Sequence, residues 1–129
     1  MKIFTQNPDG WGNKINFVDE NNVFLGYDFS QSCCEYADWF IDDTPWQTRL
    51  PEDISNYQKT EGYDGWVFDT NFQLLIESHK DLDAGGMAIF KITKDGAEKY
   101  IHIFNSHNGY YGHGFNFTIG ETVLKGGTL

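Results

Sequence analysis

The feature that most constrains this chain is a turn. Met87–Thr93 and Ala97–Asn105 are rich in β-branched and aromatic residues, and Lys94-Asp95-Gly96 stands between them. An Asp-Gly pair supplies the two positive-φ positions that a tight hairpin turn requires, so the two runs are predicted to pair antiparallel. The same grammar recurs upstream. Lys14–Val18 and Val23–Asp28 flank Asp19-Glu20-Asn21-Asn22, a four-residue turn signal that predicts a second hairpin. Trp66–Asp69 reads as a strand, and Phe72–Ser78 as strand or helix. Phe115–Ile119 and Thr122–Lys125 complete what reads as an antiparallel meander of three or four strands.

One segment breaks the pattern. In "SQSCCEYADWFIDD", Ser32 and Glu35 have capping-box spacing, and Cys33, Tyr36, Ala37, Phe40 and Ile41 fall on one helical face. A short helix is predicted there, with a strand over Tyr36–Ile41 as the alternative. Residues 42 to 65 contain Pro45 and Pro51 and read as a long loop with a helical turn after Pro51. Loops of that length in small domains are often functional. The expected fold is therefore mainly β, of the α+β kind: an antiparallel sheet, small sandwich or half-barrel built from hairpins, with one or two short helices.

The chain has 129 residues, which suits a single domain over 1–129. Its 22 aromatic residues supply a core without disulfides or metal. No run is long and apolar enough to span a bilayer, and the first ten residues lack the apolar stretch of a secretory signal. No membrane association and a cytoplasmic location are the expectation.

Charge narrows the function classes. Nineteen acids against nine bases give a net charge of -10, and Arg49 is the sole arginine. Direct nucleic-acid binding, which needs clustered Lys and Arg, is disfavoured. Residues 35 to 69 hold nine acids and two bases. Glu35, Asp38, Asp42, Asp43, Glu52, Asp53, Glu61 and Asp64 are thus the candidate contacts to a protein partner with a basic surface. The plainer reading is a solvated, solubilising face.

Two elements are candidates for chemistry. Asn108-Gly109 in "FNSHNGYYGHGF" is a hairpin signal, and a two-residue turn there would pair residues whose numbers sum to 217. His102 and His113 would become diagonal neighbours on an aromatic face, about 7–8 Å apart, with His107 on the other face. The adjacent Cys33 and Cys34 are too close for a relaxed mutual disulfide. Either thiol could join a hairpin histidine as metal ligand or as nucleophile beside a base. Cys33, Cys34, His102, His107 and His113 are therefore the candidate metal or thiol site. No cofactor is expected, and zinc is the alternative, for which a histidine pair needs third and fourth ligands. Against these stands the simpler reading of buried thiols and ring-packed histidines.

Other motifs fail or stay weak. "DLDAGG" opens like a calcium loop but has Ile92 at its twelfth position. No phosphate-binding or nucleophile-elbow motif is present, so no residue is assigned a catalytic role. Asp38 and Asp42 beside Trp39 invite a sugar-cleaving reading. Trp11, Trp39, Trp46 and Trp66, with exposed tyrosines, leave carbohydrate or small-ligand binding open.

"QSCCEYAD" (Gln31 to Asp38) together with "FNSHNGYYGHGF" (Phe104 to Phe115) resembles a group of small bacterial and phage-borne proteins. That group, a domain of unknown function, pairs a Cys-Cys-Glu element with a downstream His-Asn-Gly-Tyr-Tyr element. The resemblance implies no reaction. It implies that the two islands belong together, makes Cys33, Cys34, Glu35, His107, Asn108, Tyr110, Tyr111 and His113 candidates, and points to a microbial or phage source. The leading expectation is a small acidic interaction or regulatory protein. Its concrete form would be a phage-borne inhibitor of a host nucleic-acid-handling enzyme.

Overall fold

The structure is a computed structural model that describes residues 1–7, 13–30, 36–45, 50–76, 86–106 and 112–129. It is mainly β. In chain order the strands are β1 (Lys2–Gln6), β2 (Lys14–Val18), β3 (Val23–Asp28), β4 (Tyr36–Asp42), β5 (Val67–Ile76), β6 (Met87–Lys94), β7 (Ala97–Ser106), β8 (Gly114–Ile119) and β9 (Thr122–Thr128). A single 3-10 turn, Ile54–Tyr57, is the only helical element among the described residues. Two antiparallel sheets form, ordered β1-β2-β3-β8-β9 and β4-β7-β6-β5.

The predicted hairpins form where turn chemistry demands them. Lys94 pairs with Ala97 across Asp95 (φ 51°) and Gly96 (φ 83°), both left-handed. The β2–β3 turn uses Asn22 at φ 62°, and the β8–β9 turn uses Gly120 at φ 55°. The helical turn after Pro51 also forms, capped by Asp53, whose carboxylate accepts from the Ser55 amide.

The sheets stack face to face. Ile15, Phe17, Leu25, Tyr27, Phe115 and Phe117 from one sheet meet Trp39, Ile41, Phe90, Ile92, Ile101 and Ile103 from the other in one core. The rings interlock across the layers: Phe17 meets Trp39 edge-on at 5.5 Å between centroids, and Phe90 lies 4.9 Å from Phe117. Two buried polar links cross the same interface. The Tyr27 hydroxyl donates to the Phe104 carbonyl (2.7 Å). The Asp19 carboxylate accepts from the amides of Asn21, Val23 and Phe68, joining the β2–β3 turn to β5.

Two expectations are corrected, and one strand is added to those expected. The short helix preferred for the segment through residue 41 does not form in its described part; the alternative, a strand over Tyr36–Ile41, forms as β4. Ala37, Trp39 and Ile41 point into the core, while Asp38, Phe40 and Asp42 point outward. The apolar residues satisfied a helical period because the strand is covered on both faces, which places Phe40 beside Ile41 in sequence. Capping residues Ser32 and Glu35 lie outside the described residues. The last third is also not one meander. β6–β7 belongs to the four-stranded sheet and β8–β9 to the five-stranded one. The pairing that sums to 217 therefore does not form, since β7 pairs with β4 and β6, and β8 with β3 and β9. Phe115 and Phe117 instead pack on Phe90 in the facing sheet, with centroids 6.1 and 4.9 Å away. Finally, β1 is a strand that no turn signal announced; it extends the sheet by pairing with β2.

Candidate functional site

A β-sheet with one buried face needs only one apolar face. The four-stranded sheet has two. On its outer side Phe40, Met87, Ile89, Tyr100 and Phe104 form a second buried cluster, against which Leu50, Ile54, Phe72, Leu74 and Ile76 pack. Leu50 and Ile54 come from the long 43–65 segment, so the described part of this segment from Leu50 packs over the sheet.

Within that layer lie the polar residues. His102, on β7, has no solvent exposure and is stacked on Phe40 with centroids 4.4 Å apart and planes 6° from parallel. Its Nε2 lies 2.8 Å from Asp42 Oδ1 on β4 and 3.1 Å from the Thr44 carbonyl. Both partners are acceptors, so the proton sits on Nε2. Nδ1 is buried with no hydrogen-bond partner.

One turn of the pleat away, Asp38 is half-buried. Its Oδ1 accepts from Gln58 Nε2 (2.6 Å) and from the Trp39 amide (2.9 Å), and its Oδ2 from the Tyr36 hydroxyl (3.3 Å). The same Gln58 amide donates to the Trp39 carbonyl at 2.8 Å. Burial pushes the Asp38 carboxyl above its ordinary range, against the opposing pull of these hydrogen bonds. The Tyr36 phenol is pushed up to about 12, by burial first and by the neighbouring Asp38 charge second.

These positions recast the candidate carboxylates. Asp42 is buried and paired with His102, so it is not a surface contact, and Asp38 is spent on holding the 43–65 segment to β4. Asp42 is engaged with His102, and Asp38 with Gln58 and Tyr36, so the two carboxylates serve separate partners and do not flank a common gap. The sugar-cleaving pair is thereby set aside. Asp43, Glu52, Asp53, Glu61 and Asp64 are exposed. Asp43 pairs with Lys99 at 2.9 Å, and Asp53 caps the 3-10 turn, accepting also from the Ser55 hydroxyl at 2.6 Å. Glu35 lies outside the described residues.

The metal or thiol constellation is not assembled by what is described. His102 belongs to the four-stranded sheet. His113 precedes β8 of the other sheet, where its Nδ1 lies 2.8 Å from the Asp28 carbonyl and its backbone pairs with Leu129. The two histidines are therefore not neighbours on one hairpin face, which corrects the predicted register. Cys33, Cys34, His107, Asn108, Tyr110 and Tyr111 lie outside the described residues. Among the described residues, no three His, Cys, Asp or Glu side chains gather in a way that could hold a metal ion. Of the tryptophans proposed for ligand binding, Trp39 is a core residue at 4% exposure and Trp66 is half-buried against Tyr63; Trp11 and Trp46 lie outside the described residues.

Gln58 and Thr44 carried no signal in the sequence. Each acts on a partner 20 or more residues away, Gln58 on Asp38 and Thr44 on His102. No helix among the described residues is long and apolar enough to cross a membrane. No family model, curated protein or solved structure matches the chain.

Proposed function

We propose that this protein is a non-enzymatic, acidic interaction protein that docks a basic protein surface through the exposed carboxylates of the 43–64 segment. The observation that supports this reading is the anchoring of that segment. Thr44 is tied to His102, Leu50 and Ile54 are packed on the outer cluster, Gln58 is clamped to Asp38, and Lys94 donates to the Asp64 carbonyl at 2.7 Å. Asp43, Glu52, Asp53, Glu61 and Asp64 are thus displayed from a held backbone. A partner would not bear the cost of ordering a loose loop, which is a large part of what binding otherwise costs. Complementary charge mainly sets encounter rate and partner choice. A nucleic-acid-handling enzyme, whose substrate groove is basic, is the partner class that suits such a surface.

The test reverses charge without touching the fold. Glu52, Glu61 and Asp64 are exposed, and their carboxylates make no hydrogen bond or ion pair among the described residues. The E52K/E61K/D64K variant should fold normally and lose the capture of a basic partner from source-cell lysate that the parent shows at low salt and loses as salt rises. Equal capture by the variant and the parent, at low and moderate salt, would sink the reading.

A further inference from the structure

The opposite side of the molecule carries a different kind of surface. On the outer face of the five-stranded sheet, strand register sets Asn16, Gly26, Asn116 and Gly126 directly opposite one another across β2, β3, β8 and β9. Amides alternate with glycines, so Asn16 and Asn116 stand two strands apart, roughly 10 Å, with no side chain between them at Gly26. The Phe24 ring fills that floor: a Cβ on Gly26 would stand 2.7 Å from its tip. Lys14 and Asp28, cross-strand partners two residues along the same face, close one end. The result is a cleft of about 220 Å³ lined by these side chains and by Gly114.

The polar groups of this cleft are available. The Asn116 amide and the Lys14 ammonium make no hydrogen bond or ion pair among the described residues. Lys14 and Asp28 face each other across the strands without an ion pair. Asp28 uses Oδ1 for Ser30, through its amide (3.0 Å) and hydroxyl (2.5 Å), which leaves Oδ2. Asn16 is 3% exposed and oriented by donating to Gln6 Oε1 at 2.8 Å, so its own Oδ1 is held over the Gly26 floor.

We infer that this cleft binds one neutral sugar ring of a glycan. An apolar ring face sits on an aromatic platform, while amides and a carboxylate at the rim exchange paired hydrogen bonds with neighbouring hydroxyls. Mixed donors and acceptors with both charge signs suit a neutral polyol better than an anion, which Asp28 would repel. The volume is below the roughly 300–1,000 Å³ of clefts for drug-sized ligands, as a single-ring subsite should be. This assignment moves ligand binding away from the tryptophans and is independent of the acidic segment on the other sheet.

The experiment is an amide NMR titration of the full chain with maltose, cellobiose, lactose and N,N′-diacetylchitobiose. One of these should shift the side-chain amides of Asn16 and Asn116 and the backbone amides of Gly26 and Gly114, with a dissociation constant on the order of 1 mM. Asn116→Ala should weaken binding about tenfold. Gly114→Val should abolish it: a Cβ there meets only the Gly127 carbonyl, at 3.9 Å, so a side chain can enter the cleft, and unchanged amide shifts away from the cleft would show the fold intact. The E52K/E61K/D64K variant should bind the sugar like the parent. Absence of these shifts with all four sugars, shifts that map to residues 43–64, or unchanged binding by both cleft variants would overturn the inference.

Discussion

Asp42 Oδ1 lies 2.8 Å from His102 Nε2, with the imidazole fully buried and laid flat on Phe40. The pair bridges β4 and β7 beneath the 43–65 segment. It orients the ring but leaves Nδ1 without a partner, so it is a costly arrangement that the surrounding packing sustains. Removing one member takes from the other its charged or ring partner, leaving only the Thr44 carbonyl near His102 and the Thr44 amide on Asp42. Asp42→Ala and His102→Leu should each lower unfolding free energy by about 2 kcal/mol. The double variant should cost clearly less than the two together, because it leaves neither group unpaired. Urea denaturation of the four proteins measures the coupling, and strict additivity would show that the contact contributes nothing.

Asp38 predicts a pH effect. Burial raises its carboxyl in the folded state above the unfolded value of about 3.9. Folding therefore favours the protonated acid. The resulting stability is present below the unfolded value and is lost as pH rises through the folded one. Asp38→Asn, which keeps an acceptor for Gln58 and Trp39, should match the parent in acid and exceed it in stability at neutral pH. Denaturant midpoints across that range test the sign.

The same carboxylate helps hold the Tyr36 phenol protonated to about 12. In an ultraviolet titration, the Tyr36 phenol should ionise late, at about 12 against about 10 for an ordinary phenol. Asp38→Asn should bring it partway down, and only partway, since burial is the larger cause.

Asp19 predicts a large loss from a single acid. Its carboxylate serves three backbone amides, two in its own turn and that of Phe68 in the facing sheet. Asp19→Ala should cost about 3 kcal/mol, because buried donors then lack partners. Hydrogen exchange should locate the loss at Val23 and Phe68 together. A loss confined to the turn would mean that the link between sheets is dispensable.

Gly96 isolates backbone strain. Its φ is 83°, and a Cβ there would meet nothing within 4 Å. Gly96→Ala should therefore cost about 1–2 kcal/mol through left-handed strain alone, readable as a lowered thermal midpoint with an unchanged spectrum.

Much of the strand inventory was legible because hairpins are specified locally. The Asp95-Gly96 turn and the 19–22 turn act over two to four residues, and each brought its strands into the predicted pairing. The preference for a helix over the strand alternative at 36–41 has a physical source. β4 is covered on both faces, so its apolar residues do not alternate, and a doubly covered strand imitates a helical stripe over so short a run. The acidic candidates split for a similar reason. Composition counts carboxylates alike, whereas only the fold distinguishes Asp42, buried on His102, from Glu61, in solvent.

The sequence by itself determined that the chain is mainly β, where several turns fall, and that it carries a net charge of -10, since these follow from neighbours in the chain and from totals. The tertiary structure alone decided that β7 and β8 part into different sheets, that Asp42 meets His102 across 60 residues, and that two asparagines frame a glycine floor. Those relationships are set by which apolar faces bury most area against each other, a competition among distant segments that no local pattern encodes.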